Sequence, residues 1–141
     1  MAGMGVSIYY SAERERALTG EEQATVDEIA TRCNRALADD LRERLPDWHA
    51  DGEVPPELDD PAYLSEGLHF YKPPLEPGEV LAGSSKLSHG ACGLEHCFVQ
   101  VHHFAEALAE LRRRLSGAVW RVHIDGTDLP WDEHTGRYVL D

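Results

Sequence analysis

Residues 89–103, HGACGLEHCFVQVHH, hold four histidines and two of the chain's three cysteines. Imidazole nitrogens and thiolate sulfurs are what zinc takes, four at a time, in a tetrahedron with metal–ligand distances of about 2.0–2.3 Å. His89, Cys92, His96 and Cys97 supply that donor set in the spacing H-x2-C-x3-H-C. Read as a His-rich loop leading into a core helix the segment needs no cofactor, and none is expected; zinc is the one it would take. The tight H-x2-C turn suits it, the adjacent His96–Cys97 pair suits it less, and no second C-x2-C or H-x3-H half follows. A thiol at a helix N-terminus can also be a nucleophile, because the helix dipole favours the thiolate. Against a redox pair, Cys92 and Cys97 are spaced C-x4-C rather than C-x-x-C. Against a Cys–His catalytic pair, a nucleophile and its base usually come from different elements.

The helix that should follow decides between these chemistries. At 100° per residue, Cys97 shares a stripe with Val101, Leu108 and Leu115, while His96 and His103 fall on the opposite, wet face. A helix already formed before residue 96 would turn Cys97 inward and prevent it from sharing a metal with His96. His96 and His103 could not chelate together either, since seven residues of helix separate them by about 10.5 Å of rise.

A second group of candidates is acidic. Residues 46–62, PDWHADGEVPPELDDPA, carry six carboxylates and no Lys or Arg, and they read as a long connecting loop. Asp47, Asp51, Glu53, Asp59 and Asp60 are the candidate binding residues, with a further acidic rim between Asp125 and Glu133. The whole chain has 26 acidic against 13 basic residues, a net charge of -13 with histidine neutral. Such a balance argues against nucleic acid, whose binders need a basic footprint, and against anionic membranes. It fits a basic protein partner, although acidity also serves solubility. Gly83-Ser84-Ser85-Lys86 lacks both the P-loop pattern and the S-x-x-K spacing, and reads as a strand with exposed polar residues. The carboxylates of 125–133 do not follow a calcium-loop spacing.

Around these residues the elements follow from periodicity. Val6 and Ile8 alternate in a first strand over residues 5–10. Thr19-Gly20-Glu21-Glu22 is a capping box, followed by Val26, Ile29, Ala30, Cys33, Leu37, Leu41 and Leu45 on one helical face, with Pro46 as the stop. Cys33 on that stripe reads as an inert core thiol. Strands are predicted at 67–71 and 80–87. A second amphipathic helix places Phe98, Val101, Phe104, Ala105, Leu108, Leu111 and Leu115 on its buried side and closes with Arg112, Arg113, Arg114 and Gly117. Trp120, Val122 and Ile124 alternate in a further strand, and Tyr138 to Leu140 close the chain after a His134-Thr135-Gly136 turn.

The order β-α-β-β-α-β-β predicts an α+β two-layer sandwich: one mixed or mainly antiparallel sheet with two long helices on one face, in a single domain over 1–141. The stretches MGVSIYY, VLAGSSKL and WRVHIDG-x-x-LPW-x-x-x-x-GRY resemble small uncharacterised bacterial single-domain proteins, in order over most of the chain. That resemblance implies no activity. The N-terminus lacks the basic start and apolar run of a signal peptide, no stretch approaches a membrane span, and an odd count of three cysteines suits reduced thiols. The expectation is a cytoplasmic binding or regulatory domain without catalytic activity that masks a basic protein. The oligomeric state is unknown at this stage. The alternative is a zinc- or thiol-dependent enzyme centred on 89–97.

Overall fold

The computed structural model describes residues 5–140. The chain is α+β, with strand β1 (Ser7–Glu13), helix α1 (Gly20–Asp51), a 3-10 turn (Pro61–Tyr63), β2 (Glu79–Lys86), α2 (Leu94–Arg114) and β3 (Val119–Ile124). The two-residue strands β4 (Thr127–Asp128), β5 (Trp131–Asp132) and β6 (Arg137–Tyr138) complete it. The main sheet is antiparallel in the order β2-β1-β3-β4, and β5 pairs with β6 in a separate small sheet.

Alternation decides which face of the sheet is buried. Ile8, Tyr10 and Ala12 point inward from β1, opposite Ser85, Gly83 and Leu81 of β2 and Ile124, Val122 and Trp120 of β3. These meet Val26, Ile29, Leu37 and Leu41 of α1 and Phe104, Leu108 and Leu111 of α2 in one cluster. On the other face Tyr9 stacks on His123 with ring centroids 5.2 Å apart.

Thr19 and Glu22 form the expected capping box at the start of α1. Arg14 clamps the same turn: it pairs with Glu22, whose carboxyl it draws down to about pKa 2, and bonds the Ser116 carbonyl. The helix does not stop at Pro46. It runs on to Asp51 and ends at Gly52, which takes the left-handed conformation (φ 86°) that a side chain would resist. Pro46 is exposed, on the outer side of the helix. Buried Leu45 and Trp48 on either side anchor the added turn. The loop expected over 46–62 therefore shrinks to residues 52–60, and Asp47 and Asp51 are helical.

Two strand expectations also change. Residues 67–71 form a single bridge, Phe70 to Gly83, instead of a strand. Asn34 holds this segment through both its side-chain groups, accepting from Leu68 N at 2.7 Å and donating to Leu68 O at 3.2 Å. Ser85 is fully buried rather than exposed, bonded to the Tyr10 hydroxyl at 2.9 Å and to the Gly67 carbonyl. Burial of that hydroxyl raises the Tyr10 pKa to about 12.

Candidate functional site

α2 begins at Leu94 with Gly93 at its N-cap, so His96 and Cys97 lie in its first turn. His96 is fully buried, against the expectation that it faces water. The end of α1 and the segment after it cover this part of α2: Trp48 meets the His96 ring edge-on at 6.0 Å, and the Leu64 carbonyl lies 2.6 Å from Nε2. A carbonyl only accepts, so Nε2 carries the proton and Nδ1 is the bare nitrogen. Burial lowers the His96 pKa below the usual imidazole range, and its neighbour His89, 5.5 Å away ring to ring, is lowered chiefly by burial as well. Beside them Gln100 is fully buried and donates to the Leu87 carbonyl at 2.8 Å. Its Oε1 has no partner among the described residues.

Cys97 is half-buried, its Sγ 3.4 Å from the Leu87 carbonyl, and Cys92 is half-buried in the loop before the helix. Burial, with a smaller push from the Glu53 carboxylate, raises the pKa of both thiols. An activated cysteine needs the opposite shift. Of the four residues that the sequence groups as zinc ligands, the rings of His89 and His96 meet, but among the described residues no three His, Cys, Asp or Glu side chains are grouped to hold a metal ion. The helix start explains this, since consecutive residues 96 and 97 leave a helix in directions 100° apart. His103, also expected in water, is half-buried between the helices with Nε2 2.8 Å from Asp40. Cys33 lies in the core as expected, its pKa raised to about 12 by burial.

The acidic candidates divide into two kinds. Three serve the fold. Glu53 Oε2 accepts from the His96 backbone N–H at 2.7 Å and its carbonyl accepts from Gly93 N at 2.9 Å, so it caps α2 from a distant part of the chain. The positive end of the helix dipole favours a carboxylate there. Asp51 accepts from Glu53 N at 3.0 Å and Asp60 from Ala62 N at 3.0 Å, each fixing a local turn. Asp47 and Asp59 are exposed and take part in no ion pair among the described residues, and the same holds for Glu57, which sequence reasoning passed over.

The rim at 125–133 is similarly committed. Asp128 pairs with Arg121 at 3.1 Å, Asp132 accepts from His134 N at 2.9 Å, and Glu133 accepts from Trp131 Nε1 at 3.1 Å. Trp131 itself is docked on α2 by the Arg112 guanidinium, 4.1 Å above its ring. Arg113 donates to the Gly136 carbonyl in the same hairpin, so these arginines do more than balance the helix dipole. No helix among the described residues is long and apolar enough to cross a membrane. No protein-family model, curated protein or solved structure matches this chain.

Proposed function

We propose that this chain is a cytoplasmic binding domain rather than an enzyme, and that it captures a basic protein through the acidic shoulder formed by the last turn of α1 and the loop after it. The observation that carries the reading is the distribution of cations. Arg14, Arg32, Arg42, Arg44, Arg114 and Arg121 are all in ion pairs elsewhere. None of the six carboxylates between Asp47 and Asp60 has a cation within 4.0 Å among the described residues. The carboxylates of Asp47, Glu57 and Asp59 are exposed and in no ion pair among the described residues, so their charge is available to a partner. The reading narrows the sequence candidates: Asp51, Glu53 and Asp60 hold turns and caps, and changing them would disturb the fold along with any binding. The thiol and metal alternative lacks support of this kind, since the groups of 89–97 are engaged with backbone carbonyls or held protonated by burial.

The test is the combined variant Asp47→Asn, Glu57→Gln, Asp59→Asn, titrated with a lysine-rich cationic peptide. Three exposed pairs at about 0.2–1 kcal/mol each predict a loss of about three-fold to about a hundred-fold in affinity. Wild-type affinity should fall steeply with added salt, as long-range attraction is screened. An unchanged affinity in the triple variant removes the acidic shoulder from the function.

A further inference from the structure

Residues 53–66 run back across the first turn of α2 as a strap, and the contacts that hold them there meet on His96. Glu53 Oε2 accepts from the His96 backbone N–H at 2.7 Å, and the Glu53 carbonyl accepts from Gly93 N at 2.9 Å. Further along, the Leu64 carbonyl lies 2.6 Å from His96 Nε2, and Glu66 accepts from Lys86 N at 2.9 Å. Gly52 and Gly67 bound the strap, both at left-handed φ (86° and 77°). Outside them the chain is held without His96, by α1 on one side and by the two Asn34 bonds to Leu68 on the other.

The surroundings of the His96 ring suit one protonation state only. The Leu64 carbonyl fixes a proton on Nε2. Nδ1 faces the side-chain Nε2 of Gln100, a donor, at 3.4 Å. Gln100 cannot offer its oxygen instead, because its Nε2 also donates to the Leu87 carbonyl at 2.8 Å, and a flipped amide would set carbonyl against carbonyl. Neither imidazole nitrogen is thus open to a metal ion. A second proton, on Nδ1, would place N–H against N–H in a ring that is fully buried. An unpaired buried donor is costly, and a buried charge more so.

The charged and titratable groups around the ring do not remove that cost. His89, 5.5 Å away ring to ring, adds a like charge once protonated, and the Glu53 carboxylate that favours the imidazolium is committed to the His96 backbone N–H. Glu66 and Lys86 act on His89. From α1, Arg44 lies 6.0 Å over the Trp48 ring, bonded to Asp40 and 3.9 Å from exposed Glu95. His49 holds the strap to α1 through the Leu58 carbonyl at 2.9 Å, a bond that protonation leaves intact. Cys92 and Cys97 stay protonated and uncharged.

We infer that His96 is a proton-operated latch: a second proton drives the imidazole from its site, and residues 53–66 open from α2 while the sheet and the C-terminal half of α2 stay folded. Opening exposes Val54 and Leu64, which the closed form buries, so the open form is the minor one at neutral pH. Phe104, Leu108 and Leu111 remain in the core cluster with Ile8 and Tyr10. Burial holds the closed-state pKa of His96 below the usual range, and opening restores the ordinary value of about 6.5. The open population therefore rises as pH falls below that value, by up to about tenfold per pH unit. Glu57 and Asp59 ride on the strap, yet the latch needs no partner and stands apart from the acidic shoulder.

The measurement is amide hydrogen exchange of the full chain between about pH 7 and 5, read by peptide mass and corrected for the intrinsic pH dependence of exchange. Peptides from 53–66 and from the first turn of α2 should lose up to about tenfold in protection per pH unit below about 6.5. Peptides from β1 and from the C-terminal half of α2 should keep theirs. His96→Gln should flatten the dependence. Should that variant fail to fold by circular dichroism, histidine NMR of the wild type decides: His96 should be the Nε2–H tautomer and should titrate only as the strap loses protection. Strap protection that ignores pH overturns the inference, and so does an equal loss in strap and core, which is global unfolding. A folded His96→Gln that keeps the dependence, or a His96 that titrates under a fully protected strap, does the same.

Discussion

The remote cap on α2 can be tested by removing it from either side. A Cβ built on Gly93 would sit 2.5 Å from Glu53 Oε1 and 2.8 Å from Oε2. Gly93 has φ -91°, an ordinary value, so Gly93→Ala introduces no backbone strain and acts by displacing the carboxylate. Glu53→Ala removes that carboxylate outright, with its 2.7 Å bond to His96 N. Loss of an N-terminal cap costs about 1–2 kcal/mol, of which about 0.3–1 kcal/mol is charge–dipole attraction. Alanine is also a poorer N-cap than glycine, by up to about 1 kcal/mol, but that difference appears in both backgrounds and cancels in a double-mutant cycle. Glu53→Ala should therefore lose about 1–2 kcal/mol, and Gly93→Ala about 1–3 kcal/mol with the poorer N-cap included. The double variant should be about 1 kcal/mol more stable than the sum of the two losses implies, because the cap can be lost only once. Urea unfolding gives the four free energies, with an unchanged slope showing that only stability has moved. Additivity within about 0.3–0.5 kcal/mol would mean that Glu53 and Gly93 do not share the cap, and the geometry drawn for the start of α2 would be wrong.

Two further outcomes follow from the buried titratable groups. His96 and His89 have lowered pKa values, so the unfolded chain takes up their protons first as pH falls. Their contribution is complete above the ordinary histidine pKa of about 6.5 and is lost as pH drops from there through the folded values, at up to about 1.4 kcal/mol per pH unit for each imidazole. Urea midpoints measured from pH 7.5 to 5.5 should fall in wild type and fall less in His96→Gln; parallel curves would refute the assignment. Cys33, with its pKa near 12, and the raised thiols Cys92 and Cys97 should all alkylate more slowly at pH 7 in the native protein than in urea. A native thiol that outpaces its unfolded counterpart would reveal activation that the burial of these three sites does not provide.

What could be read from the sequence was whatever depends on neighbours a few residues away. Thr19 and Glu22 announce the start of α1 because a capping box is complete within four residues, and the alternation of Trp120 and Val122 gives β3 for the same reason. The errors sit where a distant segment decides. Pro46 is a sound stop signal locally, yet Leu45 and Trp48 are buried by the rest of the fold and carry the helix past it. His96 falls on the polar side of α2 in projection, and Trp48 with the return of residues 53–64 over that turn buries it. Phe98 errs the opposite way: the pattern marks it for the core, yet it stands exposed on α2. Glu53 is the plainest case among the candidate site residues. Its composition says surface acid, while its position in space makes it a helix cap 43 residues from the backbone N–H it serves.

The candidate chemistry of 89–97 and the candidate binding acids are therefore one structural unit. Glu53 reaches from the acidic segment to the first turn of α2, and there it caps the helix, lies within hydrogen-bond reach of the His96 N–H and helps keep Cys92 and Cys97 protonated. A carboxylate so placed favours the helix dipole and disfavours a thiolate at the same point, which is the reverse of how a helix N-terminus activates cysteine. The two thiols that look most reactive in the sequence are thus kept protonated chiefly by burial, with a smaller push from a residue that looks like surface. What stays unpaired in that acidic segment, among the described residues, lies elsewhere, in the exposed carboxylates of Asp47, Glu57 and Asp59.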